Sequence, residues 1–262
     1  MNPDRVLKAV LPPAVFGALL LAAWELLVQG LDLNPYFLPA PSAIWSAFTD
    51  NVDLVTDASM VSGTNALVGL ITGTVLGVIA AFALMRFRIL NDLVTPMAVA
   101  LNAIPIVVLV AVFVNQYPAT SEMPRRLMAT LIVFFIVLVN VAKGLRQVHP
   151  THVELLRSYA ASPVDVLVKA RIPNAVPYLF TALKIAAPTS VITAFVAEYF
   201  GGSQNGLGSR ITSNMANSKN AVAWSYVLGA CAVGLTFYLV SIALEYITSH
   251  RRGAAPGGGA TP

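Results

Sequence analysis

Long apolar stretches recur along the chain and are separated by short polar segments. Six of them contain about twenty mostly apolar residues, the number that an α-helix needs to cross a bilayer. They are Ala9–Gly30, Val61–Met85, Leu93–Asn115, Leu127–Ala142, Tyr178–Phe200 and Val222–Thr248. Backbone polar groups in hydrocarbon must bond within the segment, so we expect helices rather than strands. The pattern predicts an all-α, polytopic membrane protein with about six transmembrane helices.

The composition agrees with this assignment. The chain is 57% hydrophobic and only 11% charged, whereas a soluble domain carries about 25% charged residues. Cys231, in an apolar run, is the only cysteine, so the chain cannot form an internal disulfide. Arg5 and Lys8 precede the first span as in a signal peptide, but the apolar run is longer than a signal core and no Ala-x-Ala site follows. We therefore expect an uncleaved helix.

Basic residues are distributed unequally between the two sides that six spans would define. If the N-terminus is cytoplasmic, only Arg125, Arg126, Arg210 and Lys219 of the 16 Lys and Arg residues lie outside. The positive-inside rule then predicts that both termini are cytoplasmic. The net charge of +4 follows from this topology and does not indicate a nucleic-acid surface. We expect residues 1–252 to form the membrane domain and the Gly/Pro-rich residues 253–262 to be a disordered tail.

A patterned polar segment, "THVELLRSYAASPVDVLVKARIPNAVPY", separates the fourth and fifth spans. Thr151 and Glu154 fit a capping box at the start of a first helix. Ser162, followed by Pro163, fits the start of a second helix, with Asp165 at its third position. We expect Pro173 to end that second helix. The segment, residues 150–177, thus predicts two short cytoplasmic helices joined by a bend at residues 160–161.

Both predicted helices carry apolar side chains on one face. These side chains are Leu155, Leu156 and Tyr159 in the first helix, and Val164, Leu167 and Val168 in the second. They could pack against the chain's own spans, or they could fit a groove on a cytoplasmic partner. Their spacing does not distinguish these two alternatives.

On the other side of the membrane, "FLPAPSAIWSAF" follows the first span. Pro41 and Ser42 could start a short amphipathic helix there, with Trp45 and Phe48 on one face at the membrane surface.

Several polar residues and prolines within the spans are candidates for a translocation pathway. Pro105 and Pro188 would kink the third and fifth spans. The nearby hydroxyl and amide side chains could line a pathway or bond to their own helix carbonyls. These side chains are Asn102, Thr189, Ser190 and Thr193. Glu198 is the most notable spanning carboxylate, because a lone charge there must face a cavity, find a partner or be protonated.

The polar segment resembles the cytoplasmic loop of ABC-importer permeases, whose motif runs Glu-Ala-Ala, then Gly, then Ile-x-Leu-Pro. Glu154-Leu155-Leu156 matches its beginning, Ala160 stands at the glycine, and Arg171-Ile172-Pro173 matches its end. Because alanine tolerates a positive φ less well than glycine, we expect a more helical bend than is usual in the family.

Four other stretches resemble the sulfonate, taurine and nitrate branch of these permeases, in matching order. They are "FLPAPSAIW", "IPIVVLVAVF", "FFIVLVNVAKGLRQVHP" and "VAEYFGGSQNGLG". One stretch, "NQYPATSEMPRR" at residues 115–126, departs from the glycine-containing outer loop of these relatives.

This resemblance implies a type I ABC importer permease in the bacterial inner membrane, forming half of a translocation pathway. The implied partners are a second permease (an identical copy or a related chain), two ATP-binding subunits and an extracytoplasmic substrate-binding protein. ATP and Mg²⁺ would bind the ATP-binding subunits, since this chain has no Gly-x-x-x-x-Gly-Lys-Ser/Thr run. We expect no enzyme activity, metal or cofactor in this chain.

The resemblance assigns contact with the ATP-binding subunit to one set of residues in the polar segment. They are Glu154, Leu155, Leu156, Tyr159, Ala160, Ala161, Ser162, Asp165, Arg171 and Pro173. It also implies a small anionic or polar substrate, such as a sulfonate, taurine, nitrate, a pyrimidine or a vitamin precursor.

Two other function classes fit the sequence less well. A stand-alone secondary transporter often shows inverted repeats, and no repeat is evident here. A membrane enzyme needs a cluster of His, Asp, Glu or Ser near one interface, and none stands out.

Overall fold

The computed structural model describes the backbone of residues 3–86, 106–201 and 203–253. All regular secondary structure in these ranges is helical, which confirms the predicted all-α class. The helices are α1 (Pro3–Gly30), α2 (Pro41–Asp50), α3 (Val52–Arg86), α4 (Ile106–Gln116), α5 (Met123–Arg146), α6 (Pro150–Ser158), α7 (Pro163–Val166), α8 (Ile172–Phe200), α9 (Leu207–Ala216) and α10 (Asn220–Gly253).

Within the described ranges, five helical stretches are long and apolar enough to cross a membrane. They are Leu11–Gly30, Val52–Met85, Met123–Arg146, Pro163–Phe200 and Asn220–Thr248. They correspond to five of the six predicted spans. The sixth predicted span is the third along the chain, and helix α4 forms its C-terminal part. The earlier part of that span, with Asn102 and Pro105, lies outside the described residues. The predicted tail, residues 253–262, also lies outside them except for Gly253.

Glycines on α3 allow this helix to approach α5 closely. Gly69, Gly73 and Gly77 recur every four residues, so they share one face. A Cβ added to Gly73 would lie 2.7 Å from the carbonyl oxygen of Thr130, and one added to Gly77 would lie 2.9 Å from that of Phe134. Small residues at this spacing let helix backbones pack directly in a membrane, where lipid supplies no hydrophobic driving force. The apolar pattern of the spans alone did not predict this motif.

Helix α8 also packs closely against α5, nearer its C-terminal end. A Cβ added to Gly144 on α5 would lie 2.8 Å from the Cα of Ala175. The side chain of Asn174 donates a hydrogen bond to the Gly144 carbonyl (2.7 Å), and the Tyr178 hydroxyl lies 2.8 Å from the Gln147 side-chain oxygen. Helices α3, α5 and α8 therefore form the centre of the bundle.

Helix α1 lies at the periphery and exposes most of its described apolar side chains. Glu25 accepts two hydrogen bonds from Ser42, one from the backbone N–H (3.0 Å) and one from the hydroxyl (2.6 Å). The rings of Trp24 and Trp224 meet edge to face at 5.5 Å between centroids. Helix α2 begins at Pro41 as predicted, and the rings of Trp45 and Phe48 stack at 5.7 Å.

The prediction that Pro173 ends a helix is wrong. A π turn over Leu167–Arg171 joins α7 to α8, and the apolar helical stretch continues to Phe200. The N–H of Ile172 bonds to the carbonyl of Leu167, five residues back. This wider turn moves the preceding carbonyls away from the proline ring, which would clash with them in a regular α-helix.

Candidate functional sites at the two ends of the bundle

The helical loop, residues 150–171, comprises α6, α7 and the π turn at one end of the bundle. Helix α6 begins at Pro150, after His149, so Thr151 lies inside the first turn and the predicted Thr151 cap is wrong. Proline has the backbone angle that the first helical position requires, which explains why the helix begins there. Glu154 is exposed, and its carboxylate has no bonding partner among the described residues.

The bend between α6 and α7 is a left-handed turn at Ala160, whose φ is +54°. The N–H of Ala160 bonds to the Arg157 carbonyl (2.9 Å), and that of Ala161 bonds to the Leu156 carbonyl (3.0 Å). This pair of bonds is the Schellman motif, which usually places glycine at the left-handed position. The expectation of a more helical bend is therefore wrong: Ala160 adopts the glycine-like conformation because the two hydrogen bonds hold it there.

The predicted start of the second helix at Ser162 is confirmed, and Ser162 and Asp165 form a capping box there. The N–H of Asp165 donates to the Ser162 hydroxyl (3.2 Å), and the N–H of Ser162 donates to the Asp165 carboxylate (3.1 Å). Lys169, one turn later, forms an ion pair with Asp165 at 2.8 Å. The loop's conformation is thus determined by contacts between residues close together in sequence.

The apolar face of the loop points away from the described part of the bundle. Leu155 is 54% exposed, Tyr159 is 78% exposed and Val164 is 66% exposed. Leu156 and Leu167 are half-buried, and Val166, a residue outside the predicted face, is buried against the protein. Arg157 and Arg171 line a neighbouring cleft of about 410 Å³. The loop thus presents a mixed apolar and basic surface.

The opposite end of the bundle holds a buried cluster of charged side chains. Glu198, near the end of α8, is 1% exposed. Its carboxylate accepts hydrogen bonds from the Ser62 hydroxyl (2.7 Å) and the Gly208 N–H (3.0 Å), and Arg125 Nη1 lies 3.8 Å from its other oxygen. Among the alternatives open for Glu198, the structure shows pairing within its own chain.

Arg125, on the first turn of α5, is 1% exposed. Its guanidinium donates to the carboxylate of Glu122 (2.6 Å), the side chain of Asn205 (2.9 Å) and the carbonyl of Ser203. A buried charge costs several kcal/mol unless it is paired and hydrogen-bonded, so these contacts explain how the side chain tolerates burial. We call Glu122, Arg125 and Glu198 the carboxylate–arginine cluster.

Glu122 also accepts hydrogen bonds from two amide side chains, Asn65 (2.7 Å) and Asn205 (2.9 Å). Partial burial acts to raise the pKa of Glu122, but the bonds from Asn205 and the charge of Arg125 outweigh it, so the pKa lies below its ordinary value. Glu122 is therefore ionised at neutral pH and serves as the counter-ion of Arg125.

Glu122 and Arg125 were not candidate residues in the sequence analysis. They lie in "NQYPATSEMPRR", the stretch that departs from the outer loop of the relatives. A signal was available: a spanning carboxylate needs a cation, and Arg125 is one of only four basic residues on its predicted side.

The hydroxyls of α8 beside Pro188 bond to their own helix. Thr189 donates to the carbonyl of Ile185 (2.6 Å) and Thr193 to that of Thr189 (2.8 Å). Ser190 donates to the carbonyl of Ala187 (2.7 Å). Ser190 and Thr193 are buried, whereas Thr189 is half-buried. The helix continues through Pro188.

Three known permease proteins are similar to this chain over most of its length. The chain is 25% identical over 229 residues to a probable ABC transporter permease protein of Haemophilus influenzae, covering 87% of this chain and 93% of that protein. It is 28% identical over 200 residues to the formylaminopyrimidine transport permease protein ThiX of Halalkalibacterium halodurans, covering 76% and 78%. It is 23% identical over 264 residues to the nitrate import permease protein NrtB of Leptolyngbya laminosa, covering 94% and 88%.

A solved structure shares the fold. A chain of the MetNI methionine ABC transporter superposes with a TM-score of 0.54 and 17% sequence identity, covering 73% of this chain and 94% of that one. The family model for binding-protein-dependent transport system inner membrane components matches residues 73–253, which include α5, the helical loop and α8 to α10. The chain therefore belongs to this family of ABC importer permeases and is a multi-pass membrane transport subunit.

Proposed function

We propose that this permease forms half of a translocation pathway and that its helical loop couples it to an ATP-binding subunit. The exposed apolar face of the loop is the observation that carries this proposal. Leu155, Tyr159 and Val164 are each more than half exposed. Burying such side chains in a partner's groove yields about 25 cal/mol for each Å² of apolar surface, so a partner would bind this face favourably.

The turn chemistry of the loop makes it suitable for transmitting movement. The Schellman turn at Ala160 and the capping box of Ser162 and Asp165 hold α6 and α7 in one arrangement. The π turn then connects α7 to α8 without a flexible linker. A partner that shifts the loop would therefore also shift α8. ATP can drive such a change only by favouring one arrangement over the other.

We assign ATP and Mg²⁺ to the ATP-binding partner, and we propose that the complex contains two such subunits, two permeases and an extracytoplasmic binding protein. The loop would then face the cytoplasm, as the distribution of basic residues predicts. The relatives named for nitrate and formylaminopyrimidine support a small anionic or polar solute as substrate. The binding protein would select among such solutes.

The test is co-purification with the cognate ATP-binding subunit, comparing the wild type with Leu155→Asp. Leu155 is 54% exposed, so the variant should fold normally while losing the apolar contact. We expect the wild type to retain the subunit and Leu155→Asp to lose it.

The matched control is Met215→Asp on α9, at the other end of the bundle, where the side chain is 38% exposed. This variant should retain the subunit. Equal retention by all three proteins would contradict the role of the loop. Solute uptake by the purified chain alone under an ion gradient would favour a secondary transporter instead.

A further inference from the structure

The carboxylate–arginine cluster holds the first turn of α9. The N–H of Gly208 donates to the Glu198 carboxylate (3.0 Å), and the N–H of Leu207 donates to the Ser62 hydroxyl (2.9 Å). Two of the N–H groups that a helix leaves unpaired at its start are thus bonded to α8 and α3. A negative charge at this end also interacts favourably with the helix dipole. Glu198 therefore acts as the cap of α9 from another helix.

Close packing makes the position of α9 sensitive to Glu198. A Cβ added to Gly206 would overlap the carboxylate carbon of Glu198. One added to Gly208 would overlap the backbone carbonyl of Phe195 on α8. The backbone on either side of Leu207 thus lies directly on α8, with no side chain between them.

Arg125 fixes the segment that leads into α9. Its guanidinium bonds to the carbonyl of Ser203 and to the side chain of Asn205, while its charge faces Glu198 at 3.8 Å. Because Arg125 belongs to α5, the segment is held between α5 and α8. A relative movement of these two helices would change the geometry of the cluster.

Helix α8 connects this cluster to the helical loop. The helical stretch Pro163–Phe200 contains 38 residues, which corresponds to about 55 Å at 1.5 Å per residue. Glu198 lies at one end of this stretch, and the capping box of Ser162 and Asp165 lies at the other. Rigid secondary elements with packed ends are able to carry coupling between distant sites.

We propose that Glu198 and Arg125 are positioning residues that convert displacement of the helical loop into displacement of α9. This inference rests on the proposed function. The exposed residues of α9, among them Arg210 and Met215, would then present a different surface to the substrate-binding protein when the ATP-binding subunit engages the loop. By reciprocity, docking on α9 would change the affinity of the loop for the ATP-binding subunit. We expect this change in the contact to stimulate ATP hydrolysis.

The first measurement uses the full chain alone in lipid nanodiscs. Cys231 is replaced by serine, and spin labels are attached at Asp53→Cys on α3 and Ser213→Cys on α9, both of which are exposed. The distances between the two spin labels are compared between the chain with the wild-type cluster and Glu198→Gln, which preserves the side-chain shape but removes its charge. We expect the distance distribution to shift or broaden in the variant.

The matched control is Glu245→Gln, which makes the same chemical change on α10 and removes the ion pair with Lys184 (2.9 Å). Its distance distribution should equal that of the wild type. Ser62→Ala, which removes the hydroxyl that bridges Glu198 and Leu207, provides a second variant if Glu198→Gln does not fold. An unchanged distance in the cluster variants, or an equal change in the control, would overturn the positioning role.

The second measurement uses the complex of this chain with its cognate ATP-binding subunit and binding protein. We expect the ratio of binding-protein-stimulated to basal ATP hydrolysis to fall at least about fivefold in Glu198→Gln, the lower range of allosteric couplings. The ratio should stay unchanged in Glu245→Gln. If an assembled Glu198→Gln complex shows an unchanged ratio, the role of the cluster in transmitting movement to α9 is overturned, but the proposed function is not. If the wild-type chain binds no ATP-binding subunit, the proposed function is contradicted as well.

Discussion

The two ends of this bundle achieve their structure by opposite means. The helical loop is stabilised by contacts within a few residues, such as the capping box between Ser162 and Asp165. Most contacts of the carboxylate–arginine cluster instead reach residues that are distant in sequence: Glu198 bonds to Ser62, 136 positions away, and Arg125 bonds to Asn205, 80 positions away. The loop keeps its shape while leaving apolar side chains free for a partner, whereas the cluster pairs its charges within the chain and buries Arg125 and Glu198.

This difference has an energetic consequence. Contacts in the loop are exposed to water, so each stabilises its conformation only modestly. Arg125 and Glu198 of the cluster are buried, so removing one partner leaves the other without compensation. We therefore expect substitutions in the cluster to affect the whole fold and substitutions in the loop to act locally.

The largest effect is expected for Arg125→Met. It leaves two carboxylates close to each other without their cation, and loss of one partner of a buried ion pair costs about 3–5 kcal/mol. Thermal unfolding of the purified chain in detergent would measure this loss. Arg210→Met, which removes an exposed cation of α9, is the matched control and should unfold as the wild type does.

A double variant sharpens the interpretation of Arg125→Met. If the cost arises from unpaired charges, adding Glu122→Gln should restore part of the stability, because the two residues interact directly at 2.6 Å. Additive losses would show that the arginine stabilises the fold through packing rather than through charge.

A smaller but substantial effect is expected for Gly206→Ala. The added Cβ would overlap the Glu198 carboxylate, and overpacking of a filled interior costs about 1–3 kcal/mol. The melting temperature should fall accordingly. Gly234→Ala on α10 is the control, because its added Cβ meets no atom within 4 Å. A Gly206→Ala chain as stable as the control would contradict the close contact between the α9 start and α8.

Ser162→Ala tests the loop end. Losing the N-cap hydroxyl should destabilise α7 by about 1 kcal/mol. Because the capping contacts are local, amide hydrogen exchange should accelerate in the loop while global unfolding stays unchanged. Ser158→Ala, whose hydroxyl bonds to a carbonyl of its own helix and caps no helix start, serves as the control. A lower global stability would show that the loop and the bundle unfold together.

The smallest effect is expected for Ala160→Gly, and it has the opposite sign. Alanine at φ +54° carries a steric penalty of about 1–2 kcal/mol that glycine avoids, although glycine also increases the entropy of the unfolded chain. Exchange of the Ala161 N–H, which closes the Schellman turn, should slow by less than about tenfold. Ala161→Gly, the neighbouring control, should not slow this exchange. Faster exchange in Ala160→Gly would contradict the strain at this position.

The sequence by itself determined the helical class, five of the spans and much of the loop. These features depend on local rules: about twenty apolar residues form a spanning helix, and Ser162 with Asp165 forms a cap. Local rules also failed at specific points. Pro150 displaced the expected cap at Thr151, and the π turn before Pro173 allowed the helix to continue.

Tertiary structure alone decided the partners of Glu198, the role of Arg125 and the packing of the α3 glycines. The sequence showed that Glu198 needed compensation but not which residue supplied it, because a guanidinium and a carboxylate interact through space whatever their separation along the chain. The conformation of Ala160 was by contrast decided locally, by two hydrogen bonds of the turn that outweigh the intrinsic preference of alanine. Residue preferences therefore predicted the elements, and contacts between distant elements determined how their ends are joined.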